Sequence, residues 1–448
     1  MEENSRAGLY QTIKAIAERE LIPALGCTEP MAVGLVSSTA RCFAGGEEIK
    51  KIIVEGSPAL IKGVAYVKIP HSGGLNGGKY AAAIGAIGGD YRLDMEVFQP
   101  VTPAHVAEAV KLADDGFVSL EKVDADRKLY LKATVITEAG VGVAVIQDSH
   151  NNICYIEANG KVIKDTRISS EEAGKIQEDM PDYMALSVPA IYDFCKNAPI
   201  EFFDRFKQAI ALSVALSKDG MENPFGLQVG RNLRDAAGKG IIGNSLANIA
   251  VQWGAAGVDA RMGGSSFPAM SNSGSGNQGV TCTMPVVAAA DYLGRTEEEK
   301  VRAVAVSNLL TVFVKTHYDV NYGRMAPVCC AAVAAGGAGA GIAFMLGFDA
   351  KQLEMVLQNI LGAVAGLFCD GAKSNCALKV SMALQGAMQS VVLASGGFAA
   401  GRLDGIVGEK IEDTINNFFT IQKEGMSGIE DVLCRIEAEK EESLCGRS

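Results

Sequence analysis

The chain has few aromatic residues, few histidines and no surplus of basic charge. Only 6% of its 448 residues are aromatic, one is tryptophan and 4 are histidine, whereas 51 are glycine. This composition favours helices that pack closely through small side chains. Acidic residues outnumber basic ones, which gives a formal net charge of -11 at pH 7. Nucleic acids and anionic membranes are bound by basic patches, so we expect a small molecule as partner, no nucleic acid and no membrane.

Several motifs are also absent. The glycine-rich loop 70–78 contains neither a GxGxxG nor a P-loop lysine motif,. No lysine lies beside a phosphate-cradling loop in the way that a pyridoxal phosphate enzyme requires. Residues 1–6 are charged, and the segment that follows is amphipathic where a signal peptide has a continuous apolar core, so we expect a cytoplasmic protein,. The 11 cysteines should be reduced there, which favours cluster binding or catalysis over disulfides,.

One uncharged stretch is long enough to cross a bilayer. It covers residues 326–348 and is dominated by alanine and glycine,. Its weak hydrophobicity and the two cysteines near its start favour a buried helix of a large helical bundle.

The hydrophobic pattern changes twice along the chain. Helical spacing predicts a first helix over 9–25 and a second that begins at Thr28,. Over residues 48–168, apolar and polar residues alternate with a period of two, which predicts strands,. One of these strands is predicted over 63–69, and Asn159-Gly160 is predicted to form a hairpin turn,. Residues 169–448 again show helical spacing. We therefore expect an α+β fold: residues 1–47 pack with a helical domain formed by 169–448, and 48–168 form an inserted α+β domain.

Two thiols, Cys369 and Cys376, bracket a polar, turn-forming hexapeptide between two apolar helical segments. On one continuous helix their Cα atoms would lie roughly 10 Å apart. The Asp370-Gly371 turn lets the chain fold back instead, and Ser374 or Asn375 can cap a helix that starts at Cys376. A thiolate is favoured at such a helix N-terminus. The alternative is a helix joint with two incidental cysteines.

Further reactive groups are predicted at helix N-termini. They are Cys27, Cys329-Cys330 behind Pro327, and the 277–279 segment Asn-Gln-Gly. One thiol of the adjacent pair Cys329-Cys330 completes a set of three thiolates with Cys369 and Cys376. Zinc accepts such ligands, but a set without an obvious histidine partner suits a cubane with one open iron, and His317 is a further candidate ligand or base. The glycine-rich loop 70–78, with Ser72 and Asn76, is either a carboxylate seat or a plain turn.

Four motifs taken together resemble the L-cysteine desulfidases, a family similar to the α part of iron-sulfur L-serine dehydratases. They are ELIPALGCTEP at 20–30, SGSGNQG at 273–279, GRMAPVC at 323–329 and CDGAKSNCALK at 369–379. The resemblance implies a [4Fe-4S] cluster held by Cys329, Cys369 and Cys376, with an open iron as Lewis acid. It also implies that Cys27 is the catalytic acid-base group.

The activity implied by this resemblance is α,β-elimination of L-cysteine to hydrogen sulfide, ammonia and pyruvate. The expected substrate-binding residues are Ser72, Asn76, Asn277, Gln278 and Lys373. Cys330 and Cys282 are alternatives to Cys329, and Cys445 is a candidate to reach the open iron. L-serine dehydration at the same cluster is the nearest alternative activity. A cluster-bearing sensor or a non-catalytic amino-acid binding protein is another, and a homodimer is a possible assembly.

Overall fold

The computed structural model describes residues 2–26, 28–65, 67–125, 127, 129–168, 181–316 and 327–445. The chain forms two compact units. The helical unit comprises Met1–Pro23, Met180–Cys369 and Ser374–Gly425, and the sheet unit comprises Ala24–Asp179, Asp370–Lys373 and Met426–Ser448. This confirms the expected α+β fold, in which a sheet-containing segment interrupts a larger helical body.

Most strands lie in the first half of the chain, and helices dominate the second half. The chain begins with α1 (Glu2–Glu20) and β1 (Leu21–Leu25). The sheet-containing part comes next and consists of α2 (Thr28–Ala44), β2 (Ile49–Gly56), α3 (Pro58–Val64), α4 (Gly78–Gly88), α5 (Pro103–Asp114), β3 (Val118–Lys122), β4 (Tyr130–Thr137), β5 (Val141–Gln147), β6 (Ile153–Ala158) and β7 (Lys161–Asp165). The later part contains α6 (Val188–Asn197), α7 (Asp204–Glu222), α8 (Val229–Gly238), α9 (Leu246–Met262), β8 (Pro268–Asn272), α10 (Gly276–Tyr292), α11 (Glu297–Thr316), α12 (Cys330–Met345), α13 (Ala350–Ala363), α14 (Cys376–Ser395), α15 (Ile411–Thr420) and α16 (Ile429–Cys445).

The sheet unit is built on a six-stranded sheet with strand order β3-β2-β4-β5-β6-β7. β2 and β3 are parallel, and the other neighbouring pairs are antiparallel. Buried and partly exposed residues alternate along β4, as expected for a strand with one face on a core,. The predicted Asn159-Gly160 turn joins β6 and β7, and both residues have positive φ. The hairpin prediction is therefore confirmed.

The core of the helical unit surrounds α12, which packs against α10, α11, α13 and α14. Every residue from 331 to 343 is buried. A Cβ at Gly341 would lie 2.7 Å from the Ala303 carbonyl oxygen. α12 and α11 can therefore pack this closely because Gly341 has no side chain. This confirms the predicted packing through small residues. Among the described helices, α14 alone is long and apolar enough to cross a membrane, and 56% of that segment is buried inside the protein.

The first predicted helix is wrong at its C-terminal end. α1 ends at Glu20, and Leu21–Leu25 forms β1 in a two-stranded sheet with β8. Pro23 has no N–H for a helix interior. The Ser271 hydroxyl donates to the Ile22 carbonyl oxygen (2.7 Å) and Ser273 N donates to that of Glu20 (3.0 Å). Hydrogen bonding to a distant segment therefore overrides the local helical periodicity.

The position of α2 also differs from the expectation. We expected α2 to pack with the helical domain, but the units divide between Pro23 and Ala24, and α2 packs against α4, β4 and β5. The strand predicted over 63–69 is also wrong at its start, because Pro58, at the first position of α3, begins a helix that continues to Val64,.

Candidate functional site

Two thiol-bearing segments of the helical unit pair with each other. Val328 and Phe368 form an antiparallel bridge. Cys329 N donates to the Leu367 carbonyl oxygen at 2.7 Å, and Cys369 N donates to that of Pro327 at 2.6 Å. Neighbouring residues of an extended pair face opposite sides, so Cys329 and Cys369 share the side opposite to Val328 and Phe368. They are diagonal neighbours, whose Cα atoms typically lie about 7–8 Å apart.

This pairing depends on an early end to the preceding helix. Helical spacing predicted a helix over 351–368, but α13 ends at Ala363. The residues after it turn and extend, so that Cys369 reaches Pro327. Proline suits this position because only its carbonyl group is needed there. The end of α13 was therefore set by a partner strand that local periodicity does not reveal.

Two of the thiols lie at the first residue of a helix. Cys330 begins α12 and Cys376 begins α14, as predicted for both. The positive end of the helix dipole favours a thiolate at such a position. The predicted cap differs in detail, because the side chain of Asn375 forms no capping hydrogen bond and its carbonyl oxygen accepts from Lys379 N instead (3.1 Å).

The adjacent thiols of Cys329 and Cys330 titrate differently. A hydrogen bond from the Cys329 thiol, aided by the Ser275 hydroxyl and the charges of Lys315 and Arg261, lowers the pKa of Cys330 to about 7 in spite of its burial. The same bond and burial raise the pKa of Cys329 well above its usual value.

The electrostatic surroundings of Cys329 show that the thiols lie together. Its pKa is raised further by the charges of Cys330, Cys369 and Cys376. Cys329 is 5% exposed and Cys376 9% exposed. None of the cysteines whose side chains are described forms a disulfide. The helical unit thus gathers four thiols in one largely buried place.

This donor set fits an iron-sulfur cluster better than a single metal ion. No three or more histidine, cysteine or acidic side chains in the described part of the chain are arranged to hold one ion. In a cluster each thiolate binds a different iron, so the ligands stand further apart than around one ion. The chemistry is uniform, since all four donors are thiols.

Cys282 is a poorer candidate ligand than Cys329 or Cys330. Burial raises the pKa of Cys282 to about 12. Its thiol donates to Asn308 Oδ1 at 3.2 Å and to the Gly279 carbonyl oxygen at 3.4 Å. The Cys282 thiol is thus engaged by acceptors inside the core, whereas Cys329 lies on the extended pair with Cys369.

The first four residues of the turn between Cys369 and Cys376, Asp370–Lys373, belong to the sheet unit. Gly371 has φ +93°, a backbone conformation that residues other than glycine rarely adopt,. A Cβ there would lie 3.2 Å from the Lys62 carbonyl oxygen. Lys373 Nζ donates to the Asp370 carbonyl oxygen at 2.6 Å. Lys373, a predicted substrate-binding residue, therefore stabilises the turn itself.

The amide side chains of Asn277 and Gln278 are engaged inside the helical unit. Ser275 caps α10 by accepting from Gln278 N at 3.3 Å. Gln278 Nε2 donates to the carbonyl oxygen and to Oδ1 of Asn272, both at 3.2 Å. Asn277 Oδ1 accepts from Arg261 Nη1 at 2.9 Å. The two amides therefore shape the loop that ends at Ser275.

Sequence reasoning missed Arg261. This side chain is 4% exposed and lies on α9, whose second half is otherwise largely apolar. Charged residues are almost never fully buried without a pairing group. An arginine inside an alanine- and glycine-rich helix is the signal that could have found it.

The remaining predicted residues lie in the sheet unit or outside the described residues. The buried Ser72 hydroxyl donates to the Ile69 carbonyl oxygen at 2.7 Å, and the exposed Asn76 pairs with Lys68 through the backbone. Ser72 therefore stabilises its own loop. Cys27, His317 and the side chain of Cys445 lie outside the described residues. α2 begins at Thr28, directly after Cys27, as predicted.

Gly279→Ala is expected to destabilise the protein. A Cβ at Gly279 would overlap the Met270 carbonyl oxygen, because α10 lies against β8 there. Overpacking of this kind costs about 1–3 kcal/mol. Urea unfolding should show the loss as a lower midpoint. The control is Gly238→Ala at the end of α8, where nothing lies within 4 Å and helix propensity predicts a gain of up to about 1 kcal/mol,. Shifts of the same sign in both variants would contradict the prediction.

The fold and the site define an α+β protein with a thiol-lined centre in its helical unit. The family model for the serine dehydratase alpha chain matches residues 157–434, which include all four thiols of the centre. The UPF0597 protein of Actinobacillus pleuropneumoniae serotype 3 is 35% identical over 441 residues, 98% of this chain and 99% of the relative. That of Desulforapulum autotrophicum is 36% identical over 438 residues, 96% of this chain and 98% of the relative.

The chain therefore belongs to the serine dehydratase alpha chain family, a family of lyases. The relationship to iron-sulfur L-serine dehydratases that its motifs implied is confirmed. Its specificity for L-cysteine stays a prediction.

Proposed function

We propose that the protein is an iron-sulfur-dependent lyase that converts L-cysteine to hydrogen sulfide, ammonia and pyruvate. The observation that carries this proposal is the group of four thiols at Cys329, Cys330, Cys369 and Cys376. Membership of the serine dehydratase family supports elimination from a small L-amino acid. The motifs around Cys27 and Cys369 support L-cysteine as the substrate.

Cys329, Cys369 and Cys376 would hold a [4Fe-4S] cluster. Cys329 is preferred to Cys330 because it shares one side of the extended pair with Cys369. Three protein thiolates would leave one iron of four without a protein ligand, and the cluster would supply a Lewis acid for the departing sulfur. The largely buried thiols keep bulk water away from this place.

The base in this proposal is Cys27. The α-proton of an amino acid is weakly acidic, so its removal requires a positioned base. α2 begins at Thr28, the residue after Cys27, and the positive end of a helix dipole favours a thiolate,. Cys27 takes the α-proton, the Cβ–S bond breaks with its electron pair leaving on sulfur, and the resulting enamine hydrolyses in water to pyruvate and ammonia.

L-serine dehydration is the second candidate, favoured by the family model. The deciding experiment is an anaerobic assay of the iron-loaded protein with L-cysteine and L-serine side by side, following pyruvate and sulfide. We expect kcat/KM for L-cysteine to be the higher by about 10-fold or more, since thiolates are the softer partners of iron. A preference for L-serine would establish the second candidate. Iron-loaded protein that forms pyruvate from neither would contradict both and favour a sensor or binding protein.

A further inference from the structure

Arg261 is a buried cation without a carboxylate partner in the described part of the chain. Its guanidinium makes one hydrogen bond, from Nη1 to Asn277 Oδ1 at 2.9 Å, and its buried Nε has no partner among the described residues. A guanidinium is always charged in proteins. Removing such a charge from water without an opposite charge is strongly unfavourable. The arrangement therefore calls for an anion that comes from outside these residues.

The nearest acidic residue in sequence does not supply that charge. Asp259 precedes Arg261 by two positions on α9, and residues two apart project about 200° apart around a helix. The Asp259 carboxylate accepts instead from Gly230 N at 3.0 Å, at the start of α8. Its role is to cap that helix, so it leaves Arg261 unpaired.

The unpaired edge of the guanidinium adjoins the N-terminus of α10. An ideal Cβ at Gly276, the first residue of α10, would overlap Arg261 Nε and lie 2.5 Å from Cζ and 2.7 Å from Nη2, so the face of the guanidinium packs against the start of α10. Nε and Nη2 form the edge that binds a carboxylate through two parallel hydrogen bonds. The backbone N–H groups and the dipole of the 17-residue helix α10 favour an anion at the same place,.

This place lies near the thiols, and the residues just before it reach the surface. α10 packs against α12, the helix that begins at Cys330. Gly274 and Ser275 are partly exposed, whereas Gly276 and the residues after it are buried. A small anion that enters beside Ser275 would meet Arg261 and lie next to the proposed cluster ligands.

We propose that Arg261 and the first turn of α10 bind the α-carboxylate of the amino-acid substrate. This inference rests on the proposed function and deepens it. Asn277 is then a positioning residue, because it holds Nη1 and leaves Nε and Nη2 without a hydrogen bond among the described residues, beside the start of α10. The predicted carboxylate contact by the amides of Asn277 and Gln278 is replaced by a charged pair.

The test compares a carboxylate with its neutral amide. Anaerobic iron-loaded protein is titrated by calorimetry with 3-mercaptopropanoate and with 3-mercaptopropanamide, which lack the α-amino group needed to release ammonia. We expect wild-type protein to bind the carboxylate about 10- to 100-fold more tightly, as a charge-assisted bidentate pair allows. Arg261→Gln should remove this preference and leave amide affinity unchanged. Arg205→Gln on α7, a partly exposed arginine, is the matched control and should keep the preference.

Arg261→Lys keeps the charge but loses the planar fork, and it covers the case in which Arg261→Gln does not fold. It should weaken carboxylate binding about 10-fold with the iron content retained. A folded, iron-loaded Arg261 variant that still prefers the carboxylate as wild-type protein does would overturn the proposal. An equal loss for both ligands would overturn it too, because that is the pattern of a structural role. Carboxylate preference in a protein that forms no pyruvate would support the subsite and contradict the lyase.

Discussion

Cys369→Ala is expected to abolish both the iron content and the elimination activity. Anaerobically purified wild-type protein should be brown and carry about four irons per chain. Cys369 is a proposed ligand with no adjacent cysteine to replace it, and its backbone is fixed by the hydrogen bond to Pro327. Iron analysis and the visible absorption spectrum measure the first loss, and pyruvate formation measures the second. We expect activity to fall by about 10³-fold or more, because the chemistry of leaving-group departure depends on the Lewis acid.

Matched cysteine variants test whether this loss is specific. Cys282→Ala should keep the iron, because the Cys282 thiol is protonated and bonded to Asn308. Cys329→Ala should lose it, and Cys330→Ala should keep it, if the side of the pairing shared with Cys369 decides the ligand. The reverse result for the adjacent pair would move the third ligand to Cys330. A colourless wild-type protein with one zinc would contradict the cluster itself.

Cys27→Ala is expected to separate binding from chemistry. The variant should keep its colour and about four irons per chain, because none of the proposed ligands is changed. Its pyruvate formation should fall by about 10²- to 10⁴-fold, the usual contribution of a positioned acid-base group. The pH dependence of kcat/KM should lose one ionisation on the acidic side, since Cys27 acts as its thiolate.

Cys42→Ala is the control for this variant. Cys42 lies on the same helix, α2, in its last turn, and is exposed. The substitution should leave iron content and activity unchanged. Normal pyruvate formation by the Cys27→Ala variant would show that another group takes the α-proton. Loss of colour in that variant would instead assign Cys27 to the cluster.

Local signals in the sequence were sufficient for the parts of the fold that local chemistry controls. Asn159-Gly160 forms the predicted hairpin, because both residues tolerate positive φ,. Cys330 and Cys376 begin helices, as the preceding turn residues indicated. The change from helical to alternating periodicity identified the inserted sheet, although α2 belongs with that sheet.

The candidate site was predictable only in its thiols. The sequence named Cys329, Cys369 and Cys376 through their motif, but it assigned substrate binding to Asn277 and Gln278, which the structure engages within their loop. The side chain of Lys373 likewise stabilises its own turn. A polar residue in a motif indicates that the position is important. The motif alone does not distinguish a residue that contacts a ligand from one that stabilises the loop.

The sequence by itself determined the family to which the chain belongs and the start of the helix at Cys376, and it supplied the hypothesis that Cys329, Cys369 and Cys376 hold a cluster. Only the tertiary structure decided that Val328 pairs with Phe368, 40 positions away, and that β1 replaces the end of the first helix. It also revealed Arg261 as a buried cation without a carboxylate partner among the described residues. The physical reason is the same in each case. Helix propensity and capping act over a few residues, whereas backbone pairing and the burial of a charge depend on segments that meet only in the folded chain.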